Sequence, residues 1–497
     1  MHLFLSQEMS SQTAWKKYLN YKDIRLWLIF LSFLRLYAIT LPPLEFQHPW
    51  RQADGLMIAR NFYEEDANIF YPRVDTAGEK SGITGSEFPV FNYCIYLMSL
   101  AFGYQHWYGR LIALIFSTLG SYYFYKSIRR FFGESVAFNA TIILTASYWF
   151  SYSRKIFPEC FSAGLCLMAL YFVLEYLENG KAKNLIFYLL LGSLGCLSKI
   201  SSTLLLSVLA IPIIFKAYPM SRKLWTMVMS GIILVSIFAW YFVWVPYLNE
   251  TFGYGNHFSM GCPLLSMGWA EIKDRWPEVL RRLYIVPTKY LGFIIFAGSL
   301  IYILYKRRWT IFSLFIVPYI CFLFIILKTG KNVIADQYYV LCVIPAMAFV
   351  AGFGLSQIRN KKIMLMILIA TAVENIGAQI RDFRFHKMNM HFENLESIVD
   401  KVSSRQDLFV INSGPYCPTV MYFAHRKGWT VAPTVLQDPE FLSEIRAKGC
   451  KFVLVCKQMY NHDYDVILDL PQLFESEYYR IYALNKELNK DFTGRGP

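Results

Sequence analysis

The chain has 497 residues, of which 55% are hydrophobic and 17% are charged, and its formal net charge is +14. A soluble enzyme of this length has more charged and fewer apolar residues, so the composition excludes that class and indicates an integral membrane protein. The basic residues fall in short connections between apolar runs, which argues against a nucleic-acid partner and is typical of cytoplasmic loops.

Apolar runs of roughly 18 to 22 residues, each long enough to cross a bilayer, recur along the chain. The first begins at Ile24 next to several lysines, which predicts a retained anchor after a cytoplasmic N-terminus, residues 1–23. The stretch from Phe88 to Phe102 is short and contains Asn92, and treating it as an interfacial helix keeps the later basic loops inside. The sequence therefore predicts an all-α polytopic transmembrane bundle over residues 24–379, with about eleven spans. The predicted spans are 24–42, 108–127, 135–153, 160–178, 183–200, 202–217, 224–246, 286–305, 309–327, 337–355 and 362–379.

This threading places several connections on the outer face, above all the first loop, residues 43–107. The tail, residues 380–497, falls on the same side and changes character, because its apolar runs become short and strand-like. It predicts a small extracytoplasmic α/β domain. Its predicted strands are 407–412 and 451–456, and its predicted helices are 393–402 and 440–448.

Asp54 lies in the first outer loop, close to a membrane surface where ionisable groups are costly unless they are paired or used. It stands at the start of a helical pattern in which Arg60 can pair with Glu64. An aspartate in this position fits a helix N-cap as well as a general base. Both interpretations stay open at this point.

Glu87 follows a stretch from Gly78 to Ser86 that is rich in glycine and serine. Such a stretch predicts a flexible segment that could close over a ligand. Because Glu87 comes just before Pro89, a carboxylate at a helix start is an equally good interpretation.

Glu159 and Lys199 are two further ionisable side chains at the ends of predicted spans. A lysine in such a place can simply extend its ammonium group to the interface. Other cations fall on the outer face against the usual bias, and they favour an anionic ligand there. These cations are Arg281, Arg282, Lys328 and Lys331. Acids and cations at one interface suit the transfer of a sugar from a lipid phosphate, because a base must take the acceptor's proton while cations, or a metal, stabilise the departing phosphate.

The order of several short motifs resembles the GT-C membrane glycosyltransferases, in the branch that contains protein O-mannosyltransferases and lipid A aminoarabinose transferases. The resemblance extends over roughly residues 24–355. The motifs are Asp54 with Ala59-Arg60-Asn61-Phe62, Asn68-Ile69-Phe70-Tyr71-Pro72, Glu87-Phe88-Pro89, Phe102-Gly103, Gly109-Arg110-Leu111, Arg130-Phe131-Phe132-Gly133, Ser153-Arg154 with Pro158-Glu159, Leu197-Ser198-Lys199, and Asp336-Gln337-Tyr338-Tyr339 before Pro345.

The resemblance implies two juxtamembrane helices in the first outer loop, which becomes the catalytic loop. It implies an inverting transfer of a hexose or pentose from a polyprenyl-phosphate-linked donor to an extracytoplasmic lipid, glycan or protein. Asp54 would be the general base, and Glu87 and Glu159 would be supporting carboxylates or ligands of a divalent metal cation. The residues implied to face the donor phosphate are Lys199, Arg154 and Arg73. The candidates for lining the substrate site are Arg51, Tyr71, Asp336 and Tyr338.

Three departures from the family pattern limit what the resemblance implies about substrates. Gly55 stands where many relatives have a second acid, Phe88 stands where the aminoarabinose branch has a lysine, and Glu159 stands where aspartate is commoner. We therefore expect neither protein mannosylation nor aminoarabinose transfer to be inherited. By resemblance, the expected location is a bacterial inner membrane, with the site facing the periplasm.

Two other functions remain as alternatives. A transporter or flippase for a lipid-linked sugar would share the apolar bundle, but it should show two related halves or ionisable residues at the midplane. Neither feature is visible in the sequence. An assembly subunit anchored by the tail domain, with acids that have no catalytic role, is the third interpretation.

Overall fold

The computed structural model describes residues 23–255, 268–329, 336–385, 387–415, 417–460 and 462–485. The predicted cytoplasmic segment, residues 1–23, lies outside this range except for Asp23, and the predicted outer cation Lys331 also lies outside it.

Helices make up the bundle, and each predicted span coincides with at least one of them. The helices up to residue 215 are α1 Ile24–Arg35, α2 Pro49–Glu64, α3 Val90–Phe102, α4 Tyr108–Phe132, α5 Glu134–Ala146, α6 Trp149–Tyr152, α7 Pro158–Asn179, α8 Ala182–Ser198, a 3₁₀ helix Ile200–Leu209, and α9 Ala210–Phe215. Those that follow in the bundle are α10 Met220–Phe238, a π-helix Ala239–Trp244, α11 Val245–Phe252, α12 Trp269–Leu280, a π-helix Arg281–Ile285, α13 Val286–Tyr305, α14 Trp309–Thr329, a 3₁₀ helix Gln337–Cys342, α15 Ile344–Ser356 and α16 Lys361–Ala378.

Four continuous helical stretches in the described ranges are long and apolar enough to cross a membrane by length and composition. They are Pro158–Asn179, Met220–Phe252, Pro277–Tyr305 and Trp309–Lys328. The remaining predicted spans coincide with helices that are shorter or less apolar, so the number of crossings stays a prediction. The stretch from Phe88 to Phe102 contains the short helix α3, Val90–Phe102, and its location at the membrane interface stays a prediction.

Close packing of α7 determines where the outer ends of the neighbouring helices lie. Gly120 of α4 faces Gly164 of α7, and a methyl group on either residue would collide with the backbone of the other helix. On the opposite side, the Ser162 hydroxyl of α7 donates to the Gly195 carbonyl of α8 at 2.7 Å. The start of α7 and the end of α8 are thereby held side by side at one end of the bundle.

The tail forms a five-stranded sheet with short helices beside it. Its strands are β1 Leu408–Ile411, β2 Lys427–Thr430, β3 Cys450–Cys456, β6 Gln472–Glu475 and β7 Tyr479–Ala483, with a separate pair β4 Gln458–Met459 and β5 His462–Asp463. The order in the sheet is β2-β1-β3-β7-β6, and β1 is parallel to β2 and β3 while β7 is antiparallel to β3 and β6. The helical segments are 3₁₀ Ile380–Phe383, 3₁₀ Lys387–Asn394, α17 Leu395–Val399, α18 Thr419–Ala424, 3₁₀ Pro433–Gln437 and α19 Pro439–Ala447.

The sheet shares one apolar core with the first outer loop. Leu56 and Phe62 of α2 are buried in the same cluster as Phe409 and Ile481 of the sheet. An α/β arrangement is therefore present in the tail, but it packs directly on α2. The domain boundary at residue 380 stays a prediction.

Candidate active site

The positions of the helix ends bear on the alternative interpretations of three acids and one lysine. The N-cap of α2 is His48, with Pro49 as the first helical residue, so Asp54 lies inside the helix and does not cap it. Glu87 lies before the N-cap of α3, and Glu159 lies in the first turn of α7, where a negative charge is favoured by the helix dipole. Lys199 ends α8, and it is 7% exposed, so its ammonium group does not extend to the interface.

The carbonyl of Leu197, near the end of α8, accepts two hydrogen bonds that bring Glu87 to Lys199. The backbone N–H of Phe88 donates to this oxygen at 3.1 Å, and the Tyr241 hydroxyl donates at 2.8 Å. A helix end leaves its last carbonyls without partners inside the helix. Here the first outer loop and the π-helix Ala239–Trp244 supply the hydrogen-bond donors. The residue before Phe88 is thereby placed beside the residue that ends α8.

Five charged side chains converge at this point, and we call them the acid–cation cluster: Arg51, Asp54, Glu87, Glu159 and Lys199. The Lys199 ammonium lies 2.7 Å from Glu87 Oε1 and 2.9 Å from Glu159 Oε1. Arg51 Nη2 lies 2.7 Å from Glu87 Oε1, and Arg51 Nη1 lies 3.4 Å from Asp54 Oδ2. Three carboxylates therefore share two cations at the end of the bundle where α7 begins and α8 ends.

The cluster is largely buried, and burial makes its charges interact strongly. Asp54 and Glu159 are each 4% exposed. Burial alone would raise the pKa of Glu87, but the nearby charges of Arg51 and Lys199 outweigh it and hold that pKa below its usual range. Glu87 is therefore ionised at neutral pH and holds the two cations in place.

A divalent metal between Glu87 and Glu159 does not fit this arrangement. The ammonium of Lys199 stands between the two carboxylates, in the position that the ion would need. Within the part of the chain that the structure describes, no group of three or more His, Cys, Asp or Glu side chains could hold a metal ion. Lys199 supplies positive charge where the sequence suggested a metal.

A cavity of about 20 Å³ borders the cluster and is lined by Asp54, Glu87 and Arg51 together with Phe88 and Asn92. This volume is enough for about one water molecule. A sugar ring can enter only if neighbouring side chains or backbone segments move.

The stretch from Gly78 to Ser86, which was expected to be flexible, is held by hydrogen bonds. The Gly78 N–H donates to the Gly428 carbonyl of the sheet at 2.8 Å, and the Gly85 N–H donates to the Asn249 side chain at 2.7 Å. The Gly82 carbonyl accepts from the Val74 N–H at 2.9 Å. Composition does not show which backbone groups find partners in distant segments, and the flexibility of this stretch stays a prediction.

Asp336 and Tyr338 lie on one side of the cluster, next to His48. His48 Nδ1 is 3.6 Å from Asp336 Oδ1, and its ring centroid is 5.4 Å from that of Tyr338. Burial, assisted by the charge of Lys155, lowers the pKa of His48 to about 3, and burial raises the pKa of Asp336. The imidazole is therefore neutral at physiological pH. Tyr338 lies against Lys199, whose ammonium is 5.7 Å from its ring centroid.

Tyr71 belongs to an aromatic wall beside Glu87. Its ring centroid is 5.7 Å from that of Trp244, and Phe88 packs on Trp240 at 4.7 Å. The Trp240 indole N–H donates to the Ser86 carbonyl at 2.9 Å, which fixes the wall against the backbone next to Glu87. Aromatic faces of this kind are suited to packing against a sugar or an isoprenoid unit.

The structure does not bring Arg154 and Arg73 to the acid–cation cluster. Arg154 is 1% exposed, lies 4.7 Å over the Phe383 ring and donates to the Ala38 carbonyl at 3.3 Å. Arg73 pairs with Asp66 at 3.1 Å and with Glu65 at 3.6 Å. The implied contact of these two arginines with a donor phosphate has no support in their positions.

A polar network next to His48 was not predicted from the sequence. The Tyr152 hydroxyl donates to Gln47 Oε1 at 2.9 Å, and the Tyr148 hydroxyl donates to Gln337 Oε1 at 2.8 Å. Tyr148 is the N-cap of α6 and Tyr152 is its last residue, and their spacing of four residues was the available signal. Nothing in the local sequence distinguishes Gln47 or Gln337 from surface residues.

The chain is similar to known proteins in part of its sequence and in its fold. A family model described as dolichyl-phosphate-mannose-protein mannosyltransferase matches residues 86–244, which include Glu87, Glu159 and Lys199. No curated protein matches the chain in sequence. The structure is similar to that of ArnT from Cupriavidus metallidurans bound to undecaprenyl phosphate, with a TM-score of 0.61, 14% identity, and coverage of 95% of this chain and 99% of that chain. The chain has the GT-C fold.

This fold confirms the predicted resemblance to the GT-C membrane glycosyltransferases. A second similar structure is the Archaeoglobus fulgidus oligosaccharyltransferase in complex with Zn and sulfate, with a TM-score of 0.56, 14% identity, and coverage of 87% of this chain and 68% of that chain. The same enzyme tethered to an acceptor peptide aligns with a TM-score of 0.52 and 11% identity over 88% of this chain and 69% of that chain. At these identities the likeness concerns the GT-C fold alone.

Proposed function

We propose that this GT-C protein is an inverting glycosyltransferase that moves a hexose or pentose from a polyprenyl-phosphate-linked donor to an extracytoplasmic lipid, glycan or protein. The observation that carries the proposal is the buried acid–cation cluster, in which Asp54 lies beside Arg51 and Lys199 bridges two carboxylates. The undecaprenyl phosphate bound to ArnT is a lipid phosphate of the proposed class.

The proposed orientation follows from the distribution of charge. The cluster lies at the end of the bundle where α7 begins and α8 ends, whereas the basic connections lie at the opposite ends of these helices. Because basic loops stay in the cytoplasm, the site faces outward, toward the periplasm of a bacterial inner membrane. A donor can then keep its lipid tail in the bilayer while its head reaches the cluster.

In the proposed step, the carboxylate of Asp54 takes the proton of the acceptor's nucleophilic group as that group attacks the anomeric carbon. The bond between this carbon and the donor phosphate oxygen breaks on the opposite side, so the configuration inverts. Lys199 and Arg51 stabilise the charge that develops on the departing phosphate. Glu87 and Glu159 hold the two cations in position before the donor arrives.

The test is an assay of purified protein with a panel of polyprenyl-phosphate sugars and a donor-free envelope extract as the source of acceptors. Release of free polyprenyl phosphate is the readout. We expect release with at least one donor, and we expect Asp54→Asn to lower the rate by about 10²- to 10⁴-fold, the usual contribution of a general base.

Asp66→Asn is the matched control, because Asp66 is 41% exposed at its side chain and pairs with Arg73 away from the cluster. This variant should keep the wild-type rate. An Asp54→Asn variant that folds and retains full activity would refute the proposed mechanism. If the protein moved intact donor across the membrane of a vesicle without releasing lipid phosphate, this result would instead support a transporter.

A further inference from the structure

An apolar cavity of about 350 Å³ lies in the bundle, toward the end opposite the acid–cation cluster. Its walls come from α4, α7, α9 with the 3₁₀ helix before it, α14 and α15. The polar side chains among its lining residues are Ser127, Thr310 and Lys216. A volume of this size is within the range of cavities that hold small ligands, and its lining suits a hydrocarbon chain.

The cavity is separate from the candidate active site. One of its walls is the helical segment that follows Lys199, and the cavity borders only the later part of this segment, from Leu205 to Lys216. Thr310 at another edge follows the basic run Lys306 to Arg308. The basic connections mark this end of the bundle as the one in the cytoplasmic leaflet.

Lys216 gives the mouth of the cavity a positive charge. Its ammonium lies 3.9 Å from the centroid of the Phe131 ring, and among the described residues it makes no ion pair with a carboxylate. The nearby Arg130 differs, because it pairs with Glu175 and Glu178. Phe215, the residue before Lys216, is 73% exposed, so this edge opens toward lipid.

The cavity is apolar, and the cation at its lipid-facing mouth has no carboxylate partner among the described residues. Such a site suits an amphiphile with a singly charged anionic headgroup and a hydrocarbon tail. The cytoplasmic leaflet supplies such molecules as anionic phospholipids. We propose that the cavity binds one acyl chain of an anionic phospholipid from this leaflet, with the phosphate of the headgroup against Lys216.

The headgroup decides the selectivity of this site. Bilayer hydrocarbon is as apolar as leucine, so moving an acyl chain from the bilayer into the cavity gains little. Phosphatidylcholine carries the same phosphate, but its trimethylammonium group offsets that charge, so the positive charge of Lys216 favours a lipid with a net negative charge. One lysine near an anionic headgroup corresponds to a preference of about fivefold.

The experiment reconstitutes the full chain in nanodiscs that contain equal amounts of phosphatidylglycerol and phosphatidylcholine with the same acyl chains. After release into mild detergent, native mass spectrometry identifies the lipid that stays bound. The wild-type protein should retain one phosphatidylglycerol in about fivefold preference. Lys216→Gln should abolish the preference and still permit binding of either lipid.

Leu170→Trp places a larger side chain in the cavity and should weaken retention of both lipids, whereas Lys223→Gln should behave as wild type because Lys223 lies in the first turn of α10, outside the cavity lining. Equal retention of the two lipids by the wild-type protein would overturn the proposal. It would also be overturned if added polyprenyl phosphate displaced the bound phosphatidylglycerol, because the cavity would then belong to the donor. Both readouts are independent of transferase activity.

Discussion

Near its start, α2 places Arg51 and Asp54 among charged groups from three other segments, whereas near its end the same helix holds Arg60 by hydrogen bonds to a carboxylate and a backbone carbonyl. Arg60 Nη2 donates to Asp75 Oδ2 at 2.9 Å, and Nη1 donates to the Tyr422 carbonyl at 2.9 Å. The guanidinium also lies 4.6 Å over the Tyr422 ring. Both regions bury charge, but in different ways.

The two regions differ in what remains for a ligand. Asp75 Oδ1 accepts from the Asn61 amide at 2.8 Å, so both oxygens of this carboxylate have close protein donors. In the acid–cation cluster the contact between Arg51 and Asp54 is long, at 3.4 Å, and both side chains line a cavity. A buried carboxylate whose two oxygens both have close protein donors holds structure together, whereas an ion pair beside a cavity can exchange partners with a substrate.

The largest expected contrast comes from the same substitution at the two ends of α2. Arg60→Met leaves Asp75 buried at 4% exposure without its cation, so we expect a loss of about 3–5 kcal/mol in the free energy of unfolding. Thermal denaturation of the purified protein in detergent measures this loss. Arg51→Met should lower transfer activity with a smaller change in stability, because Lys199 still pairs with Glu87. Equal stability losses in both variants would contradict the distinction.

Part of this comparison could be predicted from the sequence. Asp54, Glu87, Glu159 and Lys199 each lie close to a point where an apolar run begins or ends, and such boundaries gather at the same level of a membrane. The predicted order of membrane spans therefore places these four residues near one another, although it does not show which side chains form pairs. Their catalytic roles stay a proposal.

The partners of the cations could not be predicted, because they depend on packing between distant segments. Arg60 was expected to pair with Glu64 one turn away, but it pairs with Asp75, while Glu64 lies 2.8 Å from the imidazole of His425. Both side chains also have partners in the tail, since Arg60 donates to the Tyr422 carbonyl and Glu64 contacts His425. Arg154 was expected to face the donor phosphate, and its guanidinium lies over the Phe383 ring, a contact between distant segments that the sequence does not show.

Lys199→Gln should have the next largest effect, within the acid–cation cluster. The amide keeps hydrogen-bond donors but removes the positive charge between Glu87 and Glu159 and from the departing phosphate. Loss of one electrostatic stabiliser of a transition state typically costs about 10²- to 10³-fold in kcat. The measurement is release of free polyprenyl phosphate at saturating donor, with kcat and KM determined separately.

Lys199→Arg is the conservative comparison for this variant. It retains the charge, and it should recover part of the lost kcat. If Lys199→Gln and Lys199→Arg lose activity equally while both fold, position rather than charge is decisive, and the assignment of Lys199 to the phosphate is wrong.

The smallest expected effect is a pH dependence where the tail meets α2. His425 Nδ1 lies 2.7 Å from Glu396 and Nε2 lies 2.8 Å from Glu64, with Arg405 and Arg60 also facing this group. Burial opposes protonation, but hydrogen bonds to Glu396 and Glu64 raise the pKa of His425 above its usual value of 6.5. The contribution of this group to stability is therefore full below about pH 6.5 and is lost as the pH rises through the raised pKa.

Replacing His425 with glutamine should remove this dependence, so the wild-type protein should lose more thermal stability than His425→Gln between pH 6 and pH 9. His106 offers a matched control on the same contact, because its Nδ1 lies 2.7 Å from the Tyr422 hydroxyl and burial lowers its pKa to about 4. Since His106 is already neutral across that interval, His106→Gln should keep the wild-type slope of stability against pH. A slope that changes in His106→Gln but not in His425→Gln would place the titrating group elsewhere.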